Sequence, residues 1–237
     1  MAKVTECRAC GSKALTTVFS LHSSEKRWFK KSGNEKSDFV LCDPSRDARA
    51  CGLLQSARQV QPVSIMPSSR MRTNRENLEA IATESLELLS GRDCLALDIG
   101  CNDGTLLSFY PRWVERHGID QSDDIDTIGN WASTTKAMFP SPDSDRAFEG
   151  QKFDIITAVS VLENIDNPRA FIENVKAHLA DDGVFALETL YAPIVLTRNA
   201  IDLLHPGISA VYSLSVLEWI IRDAGLKVFK GLSLIHI

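Results

Sequence analysis

The sequence has no long apolar run and no excess of positive charge. No stretch reaches the roughly 18 uncharged apolar residues of a membrane span, and the first residues lack the apolar core of a secretory signal. We therefore expect a cytoplasmic protein without a membrane partner. A net charge of -5 argues against a general polyanion-binding surface, so nucleic acid is not an expected partner. The apolar share of 44% and the charged share of 24% are ordinary, which argues against a disordered chain.

Cysteine is scarce, but it is clustered. Four of the six cysteines lie in the first quarter of the chain: Cys7, Cys10, Cys42 and Cys51. The spacing of the first two is typical of a knuckle that binds one zinc ion from a single turn, whereas eight residues separate the other two. Because cytoplasmic cysteines stay reduced, we predict a structural zinc site of four thiolates. The alternative is a set of reduced cysteines without a metal.

Two prolines mark a change of organisation near residue 60. Pro62 and Pro67 lie in a polar stretch, which indicates a linker. Thr73 and Glu76 have the spacing of a capping box, and apolar residues follow at helical intervals. We predict three segments: a cysteine-rich zinc-binding module at 1–60, a linker and helix at 61–91, and a second domain at 92–237.

Short apolar runs alternate with amphipathic segments in the second domain. The runs that predict buried strands are residues 94–99, 114–119, 153–159 and 184–187. One helix is predicted to be capped by Asn167, with an inward stripe that ends at Leu179 before Gly183, and another to begin at Ser213 or Ser215 and end near Ala224. This rhythm is typical of a doubly wound, Rossmann-like α/β fold with helices on both faces of a parallel sheet.

A turn with two glycines follows the first of these strands. Gly100 and Gly104 allow a tight turn and a close approach of the backbone to a ligand. The Gly-x-x-x-Gly spacing differs from the dinucleotide-binding fingerprint, and the lysine of a P-loop is missing. Asp98 suits a cationic ligand, and Asp120 ends the next strand where such folds bind a ribose. The two acids fit adenosine with an ammonium group; the alternative is an ordinary turn with two exposed acids.

Three segments resemble a known family: Asp98–Leu107, Phe153–Ala158 with Val161–Glu163, and Ala224–Leu226. They are similar to class I S-adenosylmethionine methyltransferases, and particularly to sugar C-methyltransferases that act on nucleotide-linked deoxysugars. That family also carries an N-terminal zinc module, so the resemblance covers nearly the whole chain. It implies a methionine site at Asp98, Gly100, Asn102 and Gly104 with Cys101 beside it, a ribose site at Asp120, and an adenosine site at Ala158 and Val159.

The resemblance leaves the catalytic residues less defined. The family has a Tyr-His-Glu-His cluster where this chain has residues 205–208, and Asn164 occupies a position where the family usually has histidine. His205 is the candidate base, with a packed loop histidine as the alternative. Glu163 and Glu188 lie at predicted strand ends, where each either orients substrate or is merely solvated.

We predict an S-adenosylmethionine-dependent methyltransferase of a small molecule, such as a nucleotide-linked sugar or a natural-product intermediate. The alternatives are an O- or N-methyltransferase of another small molecule and a cofactor-binding protein without catalysis. The basic, aromatic run at residues 26–31 is interpreted as a solvated hairpin. A sixth strand is predicted at 226–229 and a last one at 231–237. A C-terminal truncation would instead expose an apolar edge and favour a homodimer.

Overall fold

The computed structural model describes residues 2–22, 36–60, 72–89, 93–205 and 207–231. In chain order the strands and helices are β1 Leu15–His22, β2 Lys36–Cys42, β3 Leu54–Ser56, α1 Arg72–Glu87, β4 Cys94–Ile99, α2 Thr105–Phe109, β5 Val114–Asp120, β6 Ser133–Lys136, α3 Pro142–Ala147, β7 Phe153–Val159, α4 Pro168–His178, β8 Leu179–Glu188, α5 Ala192–Thr197, β9 Ala210–Val211 and α6 Leu214–Asp223. Internal contacts divide the chain into two units. The first consists of Met1–Gln61, Glu163–Lys176 and Leu190–Ile237, and the second of Pro62–Leu162 and Ala177–Thr189.

The second unit contains a parallel five-stranded sheet in the order β6-β5-β4-β7-β8. The chain passes outward from β4 through β5 to β6, and then returns to the other side of β4 to form β7 and β8. The predicted doubly wound, Rossmann-like sheet is confirmed. The order in which strands are added to the sheet reverses between β4 and β7, two parallel neighbours in which Ile99 pairs with Ala158. Open α/β sheets bind ligands beyond the carboxyl ends of the strands at such a switch point.

The core of this unit explains why its strands were predictable. Central parallel strands are covered on both faces, so they are nearly continuous apolar runs. In β4 and β7 the buried apolar residues include Leu97, Ile99, Phe153 and Ile155. The inward stripe of α1 joins the same core through Leu78 and Ala82, as its spacing predicted, and Leu89 joins it from beyond the end of the helix.

The first unit contains an antiparallel four-stranded sheet in the order β1-β2-β3-β9. In its last pair Gln55 lies opposite Ala210, so residues from the second half of the chain complete the N-terminal sheet. Segments 163–176 and 190–237, which the sequence assigned to the later domain, have their contacts within this unit. Just before the predicted linker, Leu54–Ser56 is a strand in which Gln55 is fully buried.

Several helix ends differ from the predictions. The first helix begins at Arg72, so Thr73 lies inside it. For the last helix the first of the two predicted starts is confirmed: Ser213 caps it by accepting a hydrogen bond from Val216 N at 3.4 Å, and Ser215 is internal. The fourth helix ends at His178, and Leu179 starts β8 instead of continuing the helical stripe.

The predicted strand at 226–229 is wrong, since this segment has no strand structure. The run at 26–31, most of the linker and most of the segment at 231–237 lie outside the described residues. Within the described ranges, the helices are all too short or too polar to cross a membrane.

Candidate functional site

The glycine turn after β4 depends on left-handed backbone at Gly100, Asn102 and Gly104, with φ of +75°, +50° and +75°. Gly100 N donates to Ile119 O at 2.8 Å, and Gly104 N donates to Cys101 O at 2.8 Å. A Cβ atom at Gly100 would lie 2.5 Å from Val161 Cγ2. Glycine is therefore required here by both conformation and space, while asparagine tolerates the left-handed region.

Asp98 is a buried acid at the carboxyl end of β4. Its side chain is 3% exposed, and Thr157 Oγ1 donates to its Oδ1 at 2.6 Å. Burial raises the pKa of Asp98 to about 7; the Thr157 hydrogen bond opposes this effect and the charge of Asp120 adds to it. A carboxyl group in this state gains most from a cationic ligand, because such a ligand stabilises the charged form.

Asp120 ends β5 on the neighbouring strand and holds the glycine turn. Its Oδ2 accepts from Asn102 N at 2.9 Å, and its Oδ1 accepts from Ser122 N at 2.7 Å. Each carboxylate oxygen has a second lone pair, so both can still accept a ribose hydroxyl. The Ser122 hydroxyl is buried and has no hydrogen-bond partner among the described residues. An unsatisfied hydroxyl beside this acid fits a polar ligand.

Cys101 belongs to the core of the unit more than to its surface. A Cβ atom at Gly118 would lie 2.7 Å from Cys101 Sγ, so the thiol fills the space above that glycine. Burial raises the pKa of Cys101 well above its usual range, which argues against a nucleophilic thiolate. If Cys101 lies beside the cofactor as predicted, its backbone and not its thiol is the part that can make contact.

The structure brings the predicted cofactor residues to one edge of the sheet. Asp98, Gly100, Asn102, Gly104, Asp120, Ala158 and Val159 all lie at or just beyond the carboxyl ends of β4, β5 and β7. Ala158 is fully buried, Val159 is half-buried, and Ser160 follows with a φ of +56°.

Sequence reasoning missed three polar residues of this unit. These are Thr157, Ser122 and Asn77, which donates from Nδ2 to Glu188 Oε2 at 2.8 Å. Burial raises the pKa of Glu188, and the Asn77 hydrogen bond opposes that effect. The one feature of the sequence that could have indicated these residues is Thr157, a polar residue among the apolar residues at the carboxyl end of β7.

The four N-terminal cysteines converge in the first unit. Their Sγ atoms all lie within 4.8 Å of one another, with 3.6 Å between Cys7 and Cys51 and 3.4 Å between Cys10 and Cys42. Zinc–sulfur bonds of about 2.3 Å in a tetrahedron place the sulfur atoms about 3.8 Å apart. The cluster therefore has the dimensions of a zinc site.

The long spacer between the last two cysteines forms a compact turn. Asp43 Oδ1 accepts from Ser45 N at 2.9 Å, Ala50 N donates to Asp47 O, and Gly52 N donates to Cys42 O at 3.0 Å. These bonds return the chain to the cluster, so the unusual sequence spacing does not prevent a shared site.

The thiols of the cluster differ in acidity. By donating to Cys7, the Cys51 thiol lowers the pKa of Cys7 to about 5, whereas burial raises the pKa of Cys42 to about 12. Four thiolates at these distances require a bound cation.

The two predicted catalytic residues lie in the first unit. Burial lowers the pKa of His205, whose Nδ1 accepts from Gly207 N at 3.1 Å. The neutral ring therefore has its lone pair engaged and needs to turn before it can accept a proton. Glu163 is buried, which is contrary to the solvated alternative, and its main-chain oxygen accepts from Ser209 N at 2.7 Å.

A cavity of about 380 Å³ opens at the amino ends of β5 and β6. Its lining includes Arg112, Trp113, Glu115, Arg116 and Trp131. The tryptophans are 51% and 43% exposed, and the Arg116 guanidinium lies 5.4 Å from the centre of the Trp131 ring. The tip of that ring also adjoins the glycine turn, within 3.1 Å of where a Gly104 Cβ would lie.

The fold is that of known methyltransferases. A S-adenosylmethionine-dependent methyltransferase from Archaeoglobus fulgidus matches with a TM-score of 0.52 and 17% identity, over 64% of this chain and 68% of that one. A chain from a complex that contains the Haloferax volcanii Trm112 methyltransferase activator matches with a TM-score of 0.52 and 17% identity, over 67% and 75%.

A family model described as a methyltransferase domain matches residues 69–230, so the chain belongs to the methyltransferase-domain family. The tRNA U34 carboxymethyltransferase of Campylobacter jejuni strain RM1221 is 31% identical over 152 residues, which are 59% of this chain and 51% of that protein. The chain thus spans about half the length of the curated relatives it matches.

Proposed function

We propose that this protein is an S-adenosylmethionine-dependent methyltransferase that acts on a small molecule. The observation that carries the proposal is the buried Asp98 near the end of β4, with Asp120 at the end of the neighbouring strand β5, at the switch point of a methyltransferase-domain sheet. Burial disfavours the ionised form of this carboxyl group, so the group is suited to a ligand whose positive charge stabilises that form.

The proposed roles follow from the chemistry of each group. Asp98 binds the ammonium group of the cofactor, and Thr157 orients its carboxyl through the 2.6 Å hydrogen bond. Asp120 accepts from the ribose hydroxyls, and Ser122 supplies a further polar contact. When bound, the cofactor supplies an electrophilic methyl group on a sulfonium, which becomes a neutral thioether after transfer. The protein then acts mainly by aligning the acceptor.

The acceptor atom decides whether a base is needed. A carbon acid next to a ketone must lose a proton, whereas an amine or a phenolate-like oxygen needs little help. The His205 ring must release the Gly207 N–H before its Nδ1 can accept a proton, so we favour an O- or N-acceptor, which needs little help from a base. The nucleotide-linked sugar rests on the motif resemblance alone and is the first C-acceptor to test.

We also propose that Cys7, Cys10, Cys42 and Cys51 hold a structural zinc ion. The support is the spacing of their sulfur atoms and the chemistry of four thiolates. Metal analysis of the purified chain tests this directly. A zinc content well below one per chain after purification without chelators would contradict it.

The experiment for the main proposal is calorimetric titration with S-adenosylmethionine. We expect micromolar binding by the native protein and loss of binding in Asp120→Ala. The matched control is Glu149→Ala, which removes an exposed acid of the same unit. Binding that is equal in all three proteins would show that Asp120 is not at the cofactor site, and no binding by the folded native protein would refute the proposal.

A second candidate is methylation of RNA, and one observation favours it. The cavity at the amino ends of β5 and β6 presents two exposed tryptophans and two arginines, which is the chemistry that stacks bases and neutralises phosphates. The Campylobacter relatives are named for tRNA, although Glu115 in the same lining weakens the positive charge. Titration with tRNA at physiological salt separates the candidates, since loss of binding in a Trp113→Ala, Arg116→Ala double variant is expected only for an RNA substrate.

A further inference from the structure

Arg8 lies between two cysteines of the cluster, yet its side chain is only 4% exposed. All three guanidinium nitrogens donate hydrogen bonds. Nε donates to Asp166 Oδ1 at 3.0 Å, Nη1 to Ser56 O at 2.7 Å, and Nη2 to Arg58 O at 2.8 Å. The acceptors lie on two other segments of the chain, residues 56–58 and Asp166, and a planar guanidinium with a fixed fork of donors can reach both only if its own backbone is held in place.

The backbone of Arg8 is held as well. Its N–H donates to Gln55 Oε1 at 3.0 Å, and Gln55 is fully buried in β3. On either side, Cys7 N donates to Ser12 O and Gly11 N donates to Cys7 O. The conformation of the knuckle and the direction of the guanidinium are therefore set together.

Asp166, which accepts the hydrogen bond from Arg8 Nε, lies 158 residues further along the chain. Asp166 Oδ1 also accepts from Ser209 Oγ at 2.9 Å, and Ser209 N donates to Glu163 O at 2.7 Å. Asn167 follows directly and caps α4 by accepting from Ala170 N at 3.1 Å. The segment from Glu163 to Asp166 thus has two attachments, one to Arg8 and one to Ser209.

We propose that Arg8 is a positioning residue that couples metal binding at the cysteine cluster to the order of the Glu163–Asp166 segment. A metal held by Cys7 and Cys10 fixes the turn that contains Arg8. The fixed guanidinium then holds Asp166, and a buried cation without that partner is strongly disfavoured. This inference rests on the proposed zinc site.

The coupling has a consequence in both directions. If zinc stabilises the contact with Asp166, then the contact must stabilise zinc by the same factor. Weakening the contact from the distant side, in Asp166→Asn, should therefore speed zinc release, although Asp166 is not a ligand. A merely structural role in packing gives no such effect.

The test uses the full chain with its zinc content measured first. Hydrogen exchange is followed by mass spectrometry with zinc bound and after chelation, in the native protein and in Arg8→Lys. Lysine keeps the charge but cannot form the three-way fork. Arg222→Lys is the matched control, because Arg222 is an exposed arginine of the same unit that lies in α6, outside the segment that carries the cysteines.

In the native protein we expect chelation to speed exchange about tenfold in residues 163–170, with a smaller effect in β1 and β2. In Arg8→Lys, zinc stays bound but the same amides exchange fast whether or not it is present. Zinc release to a chelator should be about tenfold faster in Asp166→Asn and unchanged in Arg222→Lys.

Three results would overturn the coupling. Exchange in 163–170 that ignores zinc in the native protein refutes it while the zinc site stands. Equal acceleration throughout β1 and β2 shows general unfolding of the unit instead. A folded protein that holds no zinc refutes the metal site and the coupling together.

Discussion

Replacing Asp98 with asparagine separates charge from shape at the proposed cofactor site. Asparagine is nearly the same size, and its Oδ1 can accept the hydrogen bond that Thr157 donates to Asp98 at 2.6 Å. The fold should therefore survive Asp98→Asn. The variant removes only the ability to carry a negative charge in a buried place.

The expected pH dependence follows from the raised pKa of Asp98, about 7 in the ligand-free protein. A cationic ligand binds the ionised carboxyl, so affinity rises with pH up to about 8 and then levels off. Each pH unit below the pKa costs about tenfold in affinity, or about 1.4 kcal/mol. We expect the dissociation constant for S-adenosylmethionine to be about tenfold larger at pH 6 than at pH 8. Asp98→Asn should bind roughly 10- to 100-fold more weakly at pH 8, since a hydrogen bond to a charged group is lost.

The raised pKa of Asp98 also predicts that the free energy of unfolding falls as pH rises, whereas the affinity for the ligand increases. The folded state retains a proton that the unfolded chain, with an ordinary value of 3.8, has already released. Stability therefore falls as pH rises from about 4 to 7, by up to about 4 kcal/mol for Asp98 alone. Asp98→Asn lacks this cost, so its Tm should exceed that of the native protein at pH 8 but not at pH 4.

The assay is calorimetric titration at pH 6, 7 and 8 in two buffers of different ionisation enthalpy. The amino group of the ligand also titrates in this range, and Asp98→Asn supplies the correction for it. The reasoning is refuted if the native protein and the variant show parallel pH profiles. The reasoning is equally refuted if the dissociation constant of the native protein is the same at pH 6 and pH 8.

Three further changes test other parts of the structure. Gly100→Ala should abolish cofactor binding and lower Tm, because its Cβ has no room; Gly150→Ala, with a φ of +71° and open space around it, should cost only backbone strain of about 1–2 kcal/mol. Equal losses in both, by thermal melting and titration, would contradict this account. Cys42→Ser should reduce bound zinc, measured by atomic absorption, from about one per chain to near zero; retained zinc would exclude Cys42 as a ligand. Thr157→Val should raise the pKa of Asp98 further, moving the pH midpoint of cofactor binding upward; an unmoved midpoint would show that the hydrogen bond does not tune the acid.

Much of the second unit could be predicted from sequence because its signals are local. The strand at Cys94–Ile99 is a continuous apolar run that a glycine turn ends, and the acid at the end of each neighbouring strand follows from parallel pairing. The predicted cofactor residues therefore share one edge of the sheet. The partner of Asp98 was not predictable in the same way, since Thr157 lies far along the chain and its hydrogen bond requires the register of β4 against β7.

The first unit shows why other features were missed. Strands β3 and β9 are three and two residues long, too short for alternation to be recognised, and their pairing joins distant parts of the chain. The convergence of the cysteines was predictable from the Cys7–Cys10 knuckle, but the turn that returns Cys51 depends on hydrogen bonds that the side chains of Asp43 and Asp47 accept. Arg8 gave no signal, because a buried arginine is identified only by its acceptors.

The pairing of Gln55 with Ala210 has a consequence for how the chain is made. A ribosome releases the cysteine module early, but the strand that completes its sheet emerges only after the whole parallel sheet has been synthesised. During that interval the edge of β3 is unpaired and the thiols are open to oxidation or to the wrong metal. In a cell, the fraction of chains that carry zinc at the proposed site should therefore depend on the rate of translation and on the zinc supply during synthesis.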